Sequence, residues 1–584
     1  MRVRQLRLVN FRGFKDTLIV PRGHVLLVGE PRAGRSDVID AMRRIFNPDS
    51  TRFPLTEPLD FHASNVGQRA GALVVVGDLG PDLEQRFFDQ LEVWDTDMLA
   101  LVPELGAHDT LEPKHELVFR LCYRAEWNPD EKVADHWVDF PKFSDPETKT
   151  WEIVRRTQRE ALPFASVQLA ARPLDLASRS TFRRVIDAAE GDDFAGSIDA
   201  LTAGLTELAV ALAKGLQVGN ALELVMTTVR ARVATSMAAA DIVRFLPEGG
   251  SAGAIIRSLG PAVDLGDGAG ALPLSRHGST LRALFAVSEA LFSIAGTDGI
   301  VVADDFGEDL DPGSATHLAA CLRARSGQVW LSTRRGSAAD PFEPEEIARL
   351  AHSSSGRGIF YGPTSGSKAE RIAAQFISRR ILPEAASSSI AVGEGIHDST
   401  AMSALARRLF DDGIAFLPAA AGISITDAAG DGGGGITSVP KFTAAARTLG
   451  FRTVAFIDWD RDAAVAGQRL AATLAAADCV VRLPQNANIE VALLEGLDDP
   501  TILGALKSLQ PSLAAFNVLI PNRVWTETAG DLRRSAVDII KSSVGFHAQF
   551  IEALPKGVYP PLAVRLLNAV VEGAKGTLNG HIQL

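Results

Sequence analysis

The sequence predicts an α/β protein of several domains built around parallel sheets. A glycine-bearing loop at Gly29–Ser36 lies between a short apolar strand and a helix, and an apolar strand at Gly299–Ala303 is followed by two aspartates. From Ser389 to Leu483 strand and helix patterns alternate, which is typical of a doubly wound parallel sheet. The chain has 584 residues, enough for three or four domains of ~100–200 residues each.

Composition and charge exclude several classes of protein. Hydrophobic residues make up 46% of the chain and charged residues 22%, which is globular rather than disordered composition. No apolar run reaches the ~18–20 residues of a membrane helix, and the N-terminus alternates like a strand instead of resembling a signal peptide, so we expect a cytoplasmic protein without membrane contacts. The three cysteines lie far apart, which excludes a disulfide framework and a CxxC zinc site.

The net charge of −12 gives the chain no overall basic surface for nucleic acid. A local basic patch or a bound metal can still neutralise phosphate where contact occurs. The charge balance therefore leaves DNA binding open.

Patterns along the chain divide it into five segments. Short apolar runs within residues 49–165, including 151–155, read as further strands, whereas residues 166–245 show helical spacing. That helical segment is either a packed subdomain or an oligomerisation arm, and the glycine-rich residues 246–275 are predicted to be loop. The predicted segments are an N-terminal α/β part at 1–165, a helical insert at 166–245, a second α/β part at 246–380, a parallel-sheet domain at 385–500 and a helical C-terminal region at 501–584.

The loop at residues 29–36 has the features of a phosphate-binding loop. Its glycines permit a tight turn, and backbone N–H groups at the start of a helix can hold phosphate oxygens. Arg35 stands where a lysine is usual, and a guanidinium pairs with phosphate as a planar fork. The alternative is an ordinary strand–helix turn. The residues expected around nucleotide phosphates and their Mg²⁺ are Gly29, Arg32, Gly34, Arg35 and Ser36.

A second group of motifs completes this pattern. Asp304 is suited to bind Mg²⁺ directly or through water, and Asp305 to orient a water molecule. A Leu-Ser-x-x-Gly segment at 274–278 precedes a helix, and Leu-Asp-Pro at 310–312 follows the aspartates. Together with the opening strand at 8–14, this order resembles the ATPase head of the ABC, SMC and RecF type.

The resemblance implies ATP with Mg²⁺ as a ligand and a dimer of heads in which Ser275 and Gly278 act across the interface. Three residues depart from the family pattern. Arg35 replaces the lysine, Asp305 replaces the catalytic glutamate, and Arg334 lies in the segment of the switch histidine but cannot act as a neutral base. We therefore expect nucleotide binding with slow hydrolysis, so that ATP serves as a regulatory or structural ligand.

Acidic residues follow two predicted strands of the C-terminal half. Glu394, with Asp398 four residues later, follows the strand at 389–392, and Asp458 and Asp460 follow the strand at 453–457. The carboxyl ends of adjacent parallel strands meet at one edge of a sheet, so these side chains should converge there. Clustered carboxylates repel unless a cation lies between them, and their oxygens suit Mg²⁺ or Mn²⁺. The alternative is two unrelated acidic turns.

The glycine-flanked glutamate and the Asp-x-Asp pair resemble the Toprim fold of topoisomerases, primases and certain nucleases. A topoisomerase needs a tyrosine nucleophile, and none of the three tyrosines lies in a recognisable setting. A zinc-ribbon primase needs more cysteines than the chain has. Metal-dependent phosphodiester hydrolysis remains, because two metal ions can activate water and stabilise the leaving oxygen without a protein nucleophile.

The order of ATPase head, helical insert, second head part and Toprim domain resembles the OLD (overcoming lysogenization defect) family of nucleases. The resemblance implies a metal-dependent DNA endonuclease with a two-metal Mg²⁺ or Mn²⁺ site and an ATP-binding head. It also implies a homodimer or larger homo-oligomer, DNA as partner, a role in phage defence or DNA processing, and an unidentified helicase-like or other defence partner. The residues it assigns to the nuclease site are Glu394, Asp398, Asp458, Asp460, Glu490 and Lys541, with Lys541 preferred to Lys556.

Two rival functions stay open at the level of sequence. One is an SMC- or RecF-like scaffold that binds DNA under ATP control and carries an inactive Toprim module. The other is an ATPase effector whose partner supplies the main chemistry. The 11 histidines show no paired spacing and are expected at the surface or in the core, and Trp459 is expected to pack beneath the site.

Overall fold

The protein is described by a computed structural model. The structure describes residues 1–48, 58–167, 173–176, 180, 182–183, 186, 215–233, 237–246, 260–294, 298–353, 356–364, 366–429, 437–459, 463–515 and 529–584. Much of the predicted helical insert, the glycine run at 432–435 and Asp460 lie outside the described residues. The chain forms two compact units, one of residues 1–28 and 32–358 and one of residues 29–31 and 359–584.

The division between the units differs from the predicted segments. The predicted second α/β part runs from 246 to 380, whereas the helix Lys368–Phe376 belongs to the second compact unit. A polar stretch precedes that helix in the sequence. The strands of the first unit and the strand that leaves it are β1 (Arg2–Phe11), β2 (Phe14–Ile19), β3 (Val25–Gly29), β4 (Ala70–Gly77), β5 (Glu92–Asp95), β6 (Ala100–Leu101), β7 (His115–Asn128), β8 (Val133–Asp139), β9 (Phe164–Val167), β10 (Val243–Leu246), β11 (Gly260–Val263), β12 (Leu272–Pro273), β13 (Ile300–Ala303), β14 (Gln328–Ser332), β15 (Ile347–Ser353) and β16 (Gly356–Tyr361).

A seven-stranded sheet contains the first strand of the chain. Its order is β2-β1-β4-β7-β5-β6, with β8 also paired to β7, and its strand pairs are antiparallel. Leu6, Leu8 and Phe11 of β1 are fully buried, as predicted, while Arg7 and Val9 between them are exposed. The residues at 151–155, predicted as a strand, form only an isolated bridge between Ile153 and Asp139. That run alternates too briefly to extend a sheet edge.

A second sheet of six strands carries the phosphate loop. Its order is β16-β15-β3-β14-β13-β9, and the pairs from β3 to β9 are parallel. β13 and β14 are buried along their whole length, as strands of a parallel sheet are when both faces are covered. β9 runs across residue 165, so the predicted boundary between the first α/β part and the helical insert cuts through a strand of this sheet.

The region at 246–275 is not simply a loop. β10, β11 and β12 form a small antiparallel sheet there, and glycines between short strands hid the pattern. Of the helical insert the structure describes the helix Leu216–Val233, which packs against the helix Ser279–Ser293. The helices of the first unit are α1 (Arg35–Phe46), α2 (Pro81–Arg86), α3 (Arg156–Glu160), α4 (Leu216–Val233), α5 (Ala239–Ile242), α6 (Ser279–Ser293) and α7 (Pro312–Arg325).

The second unit is built on a five-stranded sheet. The strand order is β18-β17-β19-β20-β21, and every pair is parallel. Numbered from β17, this is the doubly wound order 2-1-3-4-5. The strands are β17 (Ser389–Gly393), β18 (Ile423–Asp427), β19 (Arg452–Ile457), β20 (Cys479–Arg482) and β21 (Gly580–Gln583).

Helices cover both faces of this sheet. Ala391, Val454, Phe456, Cys479 and Val481 join one large apolar cluster with the helices at 396–411 and 489–575. The helix at 439–448 packs against β17 and β19. The helices are α8 (Lys368–Phe376), α9 (Ile396–Asp411), α10 (Val439–Thr448), α11 (Ala463–Ala476), α12 (Ile489–Leu494), α13 (Asp499–Ala515), α14 (Ala529–Lys541), α15 (Val544–Ala553) and α16 (Pro561–Lys575).

The sequence patterns predicted the three central strands of this sheet and missed the two at its edges. β18 reads Ile-Ser-Ile-Thr-Asp and β21 reads Gly-His-Ile-Gln. Edge strands contact fewer apolar neighbours and carry polar residues, so they lack the continuous apolar run that marks a central strand. In the described part of the chain, no helix combines the length and the apolar character needed to cross a membrane.

The apolar cluster of the second unit should dominate its stability. Phe550 is fully buried in that cluster, whereas Phe416 is 87% exposed. We expect Phe550→Ala to lower the free energy of unfolding by about 3–5 kcal/mol and the matched Phe416→Ala to change it by less than about 0.5 kcal/mol. Urea denaturation of the full chain, followed by circular dichroism, measures both; equal effects of the two substitutions would contradict the burial pattern.

Candidate functional site

The loop between β3 and α1 has the backbone of a phosphate cradle. Gly29, Arg32 and Gly34 have φ angles of 138°, 61° and 100°, and α1 begins directly after Gly34. The positive φ values bend the chain so that successive N–H groups and the start of the helix face the same space. Arg32 and Ser36 are exposed at this loop, where both remain available to a ligand.

Glycine is required at position 34 by its surroundings as well as by its φ angle. A Cβ there would lie 2.8 Å from the Phe14 ring and 2.3 Å from a guanidinium nitrogen of Arg357. Arg357 also pairs with Asp37 in the first turn of α1, with Nη1 2.6 Å from Oδ2. This arginine was not predicted as a site residue, because nothing in its local sequence indicates that β16 brings it to the loop.

Arg35 of the phosphate loop contacts the end of the neighbouring strand β14. The Arg35 side chain is buried, and its Nη1 donates a hydrogen bond of 3.2 Å to the carbonyl of Thr333 after β14. Burial and the charge of Arg334 lower the pKa of Arg35, while Asp305 and Asp304 counteract that shift. The predicted cation therefore lies within electrostatic range of the predicted carboxylates.

Asp304 and Asp305 lie at the carboxyl end of β13. The Ser332 hydroxyl donates to Asp304, and the Asp305 N–H donates to the Ser332 oxygen at 2.8 Å. Asp305 has a φ angle of 46°, a value that is uncommon for a non-glycine residue. Arg334 lies 3.9 Å from Asp305 and 3.0 Å from Glu308. In this chain Arg334 therefore supplies positive charge beside Asp305.

The residues predicted to act across a head dimer occupy two turns before helices. Ser275 lies in the 3₁₀ turn Leu274–Arg276, and Gly278 caps α6. Asp311, the aspartate of the Leu-Asp-Pro motif, caps α7 by accepting hydrogen bonds from the Ser314 N–H and hydroxyl. Asp311 thus has a structural function within one chain. The proposed action of Ser275 and Gly278 on a second copy stays a prediction.

The carboxylates of the C-terminal half meet at the topological switch point of the second unit. In the order 2-1-3-4-5 the chain adds β18 on one side of β17 and then adds β19 on the other side. Ligands of such sheets bind at this switch point, outside the carboxyl ends of β17 and β19. Glu394 directly follows β17, and Asp458 directly follows β19. The Asp458 N–H donates a hydrogen bond of 2.9 Å to Glu394 Oε1, so the two acidic turns lie together.

One of the two glycines that flank Glu394 is required by packing. A Cβ on Gly393 would lie 2.8 Å from the Asp398 Cβ and 2.8 Å from the Phe456 ring. Only glycine lets β17 approach both residues this closely. Gly395, which caps α9, has space for a Cβ with only Asp398 Oδ2 nearby at 3.9 Å.

Asp398 is buried in the first turn of α9. Its Oδ2 accepts a hydrogen bond of 2.8 Å from the Gly395 N–H. Burial raises the pKa of Asp398 to about 6, with the charges of Glu490 and Asp427 adding to the shift and the Gly395 hydrogen bond and His547 opposing it. The carboxyl group therefore gains or loses its proton around pH 6, well above the range of an exposed aspartate.

Asp458 shows the strongest charge crowding. Its side chain keeps some exposure at the rim of the sheet, yet protein surrounds most of it. Burial raises the pKa of Asp458 well above its usual range, and Asp398, Glu394 and Glu490 raise it further. The Lys541 ammonium lowers it in part. Asp460, the second residue of the Asp-x-Asp pair, lies outside the described residues.

Glu490 comes from α12 and is almost fully buried. Burial opposes its ionisation, but the hydrogen bond from His547 and the charges of His547 and Lys541 lower its pKa overall. His547 Nε2 lies 3.2 Å from Glu490 Oε1. The predicted later acid therefore joins the cluster as an ionised carboxylate, together with a histidine that sequence reasoning missed.

Sequence reasoning also missed His397 and Asp427. His397 Nδ1 lies 3.5 Å from His547 Nδ1, although the two residues are 150 positions apart in the chain. Asp427 is buried at the carboxyl end of β18 and affects Asp398 electrostatically. The alternating run that ends in Asp427 could have indicated it; the histidines could not be paired without knowing that α15 packs against α9.

Lys541 and Lys556 have different surroundings. The Lys541 charge acts on Asp458, Glu490 and His397. Lys556 instead acts on Asp412, which accepts a hydrogen bond from Tyr559. The structure therefore brings Lys541, the preferred residue of the two, to the carboxylate cluster.

This cluster fits a hard divalent cation. Burial raises the pKa of Asp458 most, and the charges of Asp398, Glu394 and Glu490 raise it further, so these carboxylates repel one another at this edge. The Lys541 ammonium also acts on Asp458 and offsets part of this negative charge. Carboxylate oxygens that crowd together in this way are the donors Mg²⁺ and Mn²⁺ take, and such an ion would offset the repulsion.

The comparisons with known proteins concern the overall fold only. No protein-family model and no curated protein matches the sequence. Among solved structures the chain is similar to an Smc head bound to the C-terminal winged-helix domain of ScpA (11% identity, TM-score 0.35, covering 62% of this chain and 97% of that one). It is also similar to a Pyrococcus furiosus Smc head with an extended coiled coil bound to the C-terminal domain of ScpA (12% identity, TM-score 0.35, covering 61% of this chain and 95% of that one). A third similar structure is the SMC head domain from Thermotoga maritima (11% identity, TM-score 0.27, covering 62% of this chain and 100% of that one). Similarity at this level does not establish membership of a family.

The raised pKa of Asp398 predicts a pH-dependent stability. Because its folded pKa of about 6 exceeds the ordinary 3.8, the protonated group favours folding below about pH 4, and this contribution is lost as pH rises through 6. At ~1.4 kcal/mol per pKa unit, the loss is roughly 3 kcal/mol. In chelator-treated protein, wild type should therefore lose this stability relative to Asp398→Asn between pH 4 and 7.

Urea denaturation at several pH values measures the difference between the two proteins. Asp411→Asn, an exposed residue on the same helix, is the control and should track wild type at every pH. A difference between wild type and Asp398→Asn that does not change with pH would contradict the proposed environment of Asp398.

Proposed function

We propose that this chain is a divalent-metal-dependent DNA nuclease of the OLD type with an ATP-binding head. The observation that carries the proposal is the convergence of Glu394, Asp398, Asp458 and Glu490 at the switch point of a parallel sheet. This is the place where doubly wound sheets bind their ligands. A repulsive carboxylate cluster without a protein nucleophile supports hydrolysis through metal-activated water.

Glu394, Asp398, Asp458 and Glu490 would hold the metal ions. When bound, Mg²⁺ or Mn²⁺ supplies a water of lowered pKa and positive charge for the attacked phosphate and the leaving oxygen. Asp460 continues the same turn in sequence and stays part of the proposed site. The chain's own contribution is to hold these carboxyl groups close together, and the raised pKa values of Asp398 and Asp458 show that ionising all of them without a cation is unfavourable.

Two further side chains support phosphodiester chemistry. The Lys541 ammonium lies within range of Asp458 and Glu490, where it would offset the negative charge that develops on a cleaved phosphate. Asp398, with a pKa of about 6, can accept or release a proton near neutral pH. A cluster of four acids requires such compensation before a polyanion can approach it.

A covalent mechanism finds little support among the tyrosines. Tyr123 is buried in the first unit, and Tyr559 donates its hydroxyl hydrogen to Asp412 at 2.6 Å. Nucleophilic attack by tyrosine requires an exposed hydroxyl beside the metal site. Hydrolysis by water is the reaction that the second unit supports best.

The first unit supports nucleotide binding. The positive-φ loop, the exposed Ser36, the buried Arg35 and Asp304 reproduce the parts that hold phosphates and their Mg²⁺. Arg334 pairs with Glu308 and lies close to Asp305, an arrangement that supports slow hydrolysis. ATP would then serve as a regulatory ligand, and a homodimer or larger homo-oligomer of heads remains part of the proposal.

A second candidate function is a scaffold that binds DNA under ATP control without cutting it. The engagement of Arg334 with Glu308 and of Asp311 with Ser314 favours a head that holds ATP rather than one that turns it over rapidly. ATP-dependent DNA binding without any cleavage would support this second function over the first.

Substitution of the central aspartate tests the nuclease. We expect wild type to cleave plasmid DNA with Mg²⁺ or Mn²⁺ and Asp458→Asn to reduce the rate at least about 100-fold, because an amide cannot supply the charge a divalent ion requires. Asp411→Asn, at an exposed position on α9, should retain the wild-type rate. Gel analysis of nicked and linear products gives the rates; cleavage that survives Asp458→Asn rejects the site.

Nucleotide binding is tested at the phosphate loop. We expect Arg35→Ala and Arg32→Ala each to weaken binding of a fluorescent ATP analogue by about 10-fold or more, because a hydrogen bond from a charged donor contributes about 1.5–3 kcal/mol. Arg7→Ala removes only an exposed ion pair with Asp16 and should leave the affinity unchanged. Equal affinities for all four proteins would contradict a nucleotide site at this loop.

A further inference from the structure

Two histidines and a glutamate lie together beside the carboxylate cluster, and the proposed nuclease does not use the histidines. His397 comes from the first turn of α9, Glu490 from α12 and His547 from α15. One ligand atom from each lies within 4.8 Å of the others. His547 is fully buried and Glu490 nearly so, while His397 is partly exposed.

Each ring nitrogen of His547 lies beside an acceptor oxygen, and Nδ1 also lies 3.5 Å from His397 Nδ1. The Nε2 atom of His547 lies 3.2 Å from the Glu490 carboxylate, and its Nδ1 lies 3.3 Å from the carbonyl oxygen of Val544. Both partners are acceptors, whereas a neutral imidazole carries one N–H. If Nδ1 donates to Val544, the Nε2 lone pair faces a carboxylate oxygen. In that tautomer, a metal ion between Nε2 and the Glu490 carboxylate would satisfy both atoms.

The surroundings favour a metal ion at this position. A backbone carbonyl that accepts a hydrogen bond from one imidazole nitrogen is the usual way in which proteins orient a histidine whose other nitrogen binds metal. The Val544 carbonyl provides such an acceptor at 3.3 Å. The His397 ring lies beside that of His547, with their Nδ1 atoms 3.5 Å apart, and one of its nitrogens lies within 4.8 Å of ligand atoms of Glu490 and His547, so it could serve as a further metal ligand.

We infer that His397, Glu490 and His547 form a transition-metal site, distinct in its donors from the all-carboxylate cluster, which binds a Zn²⁺-like ion in preference to Mg²⁺. Imidazole nitrogen suits Zn²⁺ and Co²⁺, while Mg²⁺ takes oxygen ligands. Two imidazoles and one carboxylate leave a position open to water, as three-ligand zinc sites do. This inference goes beyond the proposed nuclease and stands if the chain cuts no DNA.

The shared residue links the two sites. Glu490 contacts His547 directly and also acts electrostatically on Asp458 and Asp398. A cation held by the histidines therefore reduces the negative charge that the carboxylate cluster experiences. Divalent ions at the two sites would influence each other through this one side chain.

Cobalt binding tests the site without reference to activity. Co²⁺ is titrated into the full-length, chelator-treated protein in the presence of excess Mg²⁺, which occupies the carboxylate cluster, and visible d–d absorption reports Co²⁺ in a nitrogen and oxygen environment. We expect one Co²⁺ per chain to give this absorption in wild type. We expect His397→Gln and His547→Gln each to weaken binding by at least about 10-fold, the lower end of losses seen even for residues that only support metal ligands.

The control variant removes a histidine of the first unit that also has a potential metal-binding neighbour. His317 Nε2 lies 3.7 Å from the Cys321 thiol in the first unit, and His317→Gln should leave the cobalt absorption unchanged. If the absorption survives both site variants, or disappears in the control, the inference is wrong. Loss in Asp458→Asn with retention in both site variants would assign the ion to the carboxylate cluster and would also overturn it.

If the buried His547→Gln variant does not fold, a measurement on wild type alone still tests the site. X-ray absorption at the zinc edge of protein loaded with one equivalent of Zn²⁺ should show scattering from two imidazole rings and no sulfur. A sulfur ligand, or oxygen ligands only, contradicts the site. Failure of the nuclease proposal appears in a different readout, the cleavage of DNA by wild type and Asp458→Asn.

Discussion

Acidic side chains that repel one another are held together at the switch point of the second unit. Two parallel strands end side by side, and the backbone N–H of Asp458 fastens Glu394 to the neighbouring turn. Gly393 allows Asp398 to approach the same edge, and α12 adds Glu490 from below. The raised pKa of Asp458 reflects the cost of this arrangement. Apolar packing on both faces of the sheet offsets this unfavourable contribution, because it fixes the strands from which these residues extend.

The central strands and the acids that follow them could be predicted because both signals are local. An apolar run that ends in Glu394 or Asp458 appears in consecutive letters, and parallel strands bring their carboxyl ends to one edge. Asp427, by contrast, ends an edge strand with a polar face, so its local signal was weak. His397 and His547 lie together only because α9 packs against α15, and no spacing rule can reveal that contact.

The first unit shows the same division between local and distant signals. The bend of residues 29–36 follows from glycines that the sequence displays, whereas α1 begins at Arg35, within the predicted loop. The contact of Arg35 with the Thr333 carbonyl and the packing of Arg357 beside Gly34 depend on residues about 300 positions away. The departures Arg35, Asp305 and Arg334 were visible in the sequence, but their pairing with one another and with Glu308 required coordinates.

The parallel pairing of β9 with β13 has a consequence for how this protein can change. The two strands are neighbours in the sheet, although residues 168–299 separate them in the chain. Closing a longer or shorter loop between fixed ends changes the entropy only slowly with length, by ~0.6 kcal/mol per doubling. Because α4–α6 and β10–β12 lie within the intervening segment, the connections between these elements are where residues can be gained or lost over evolution while the sheet that carries Asp304 and the phosphate loop keeps its register.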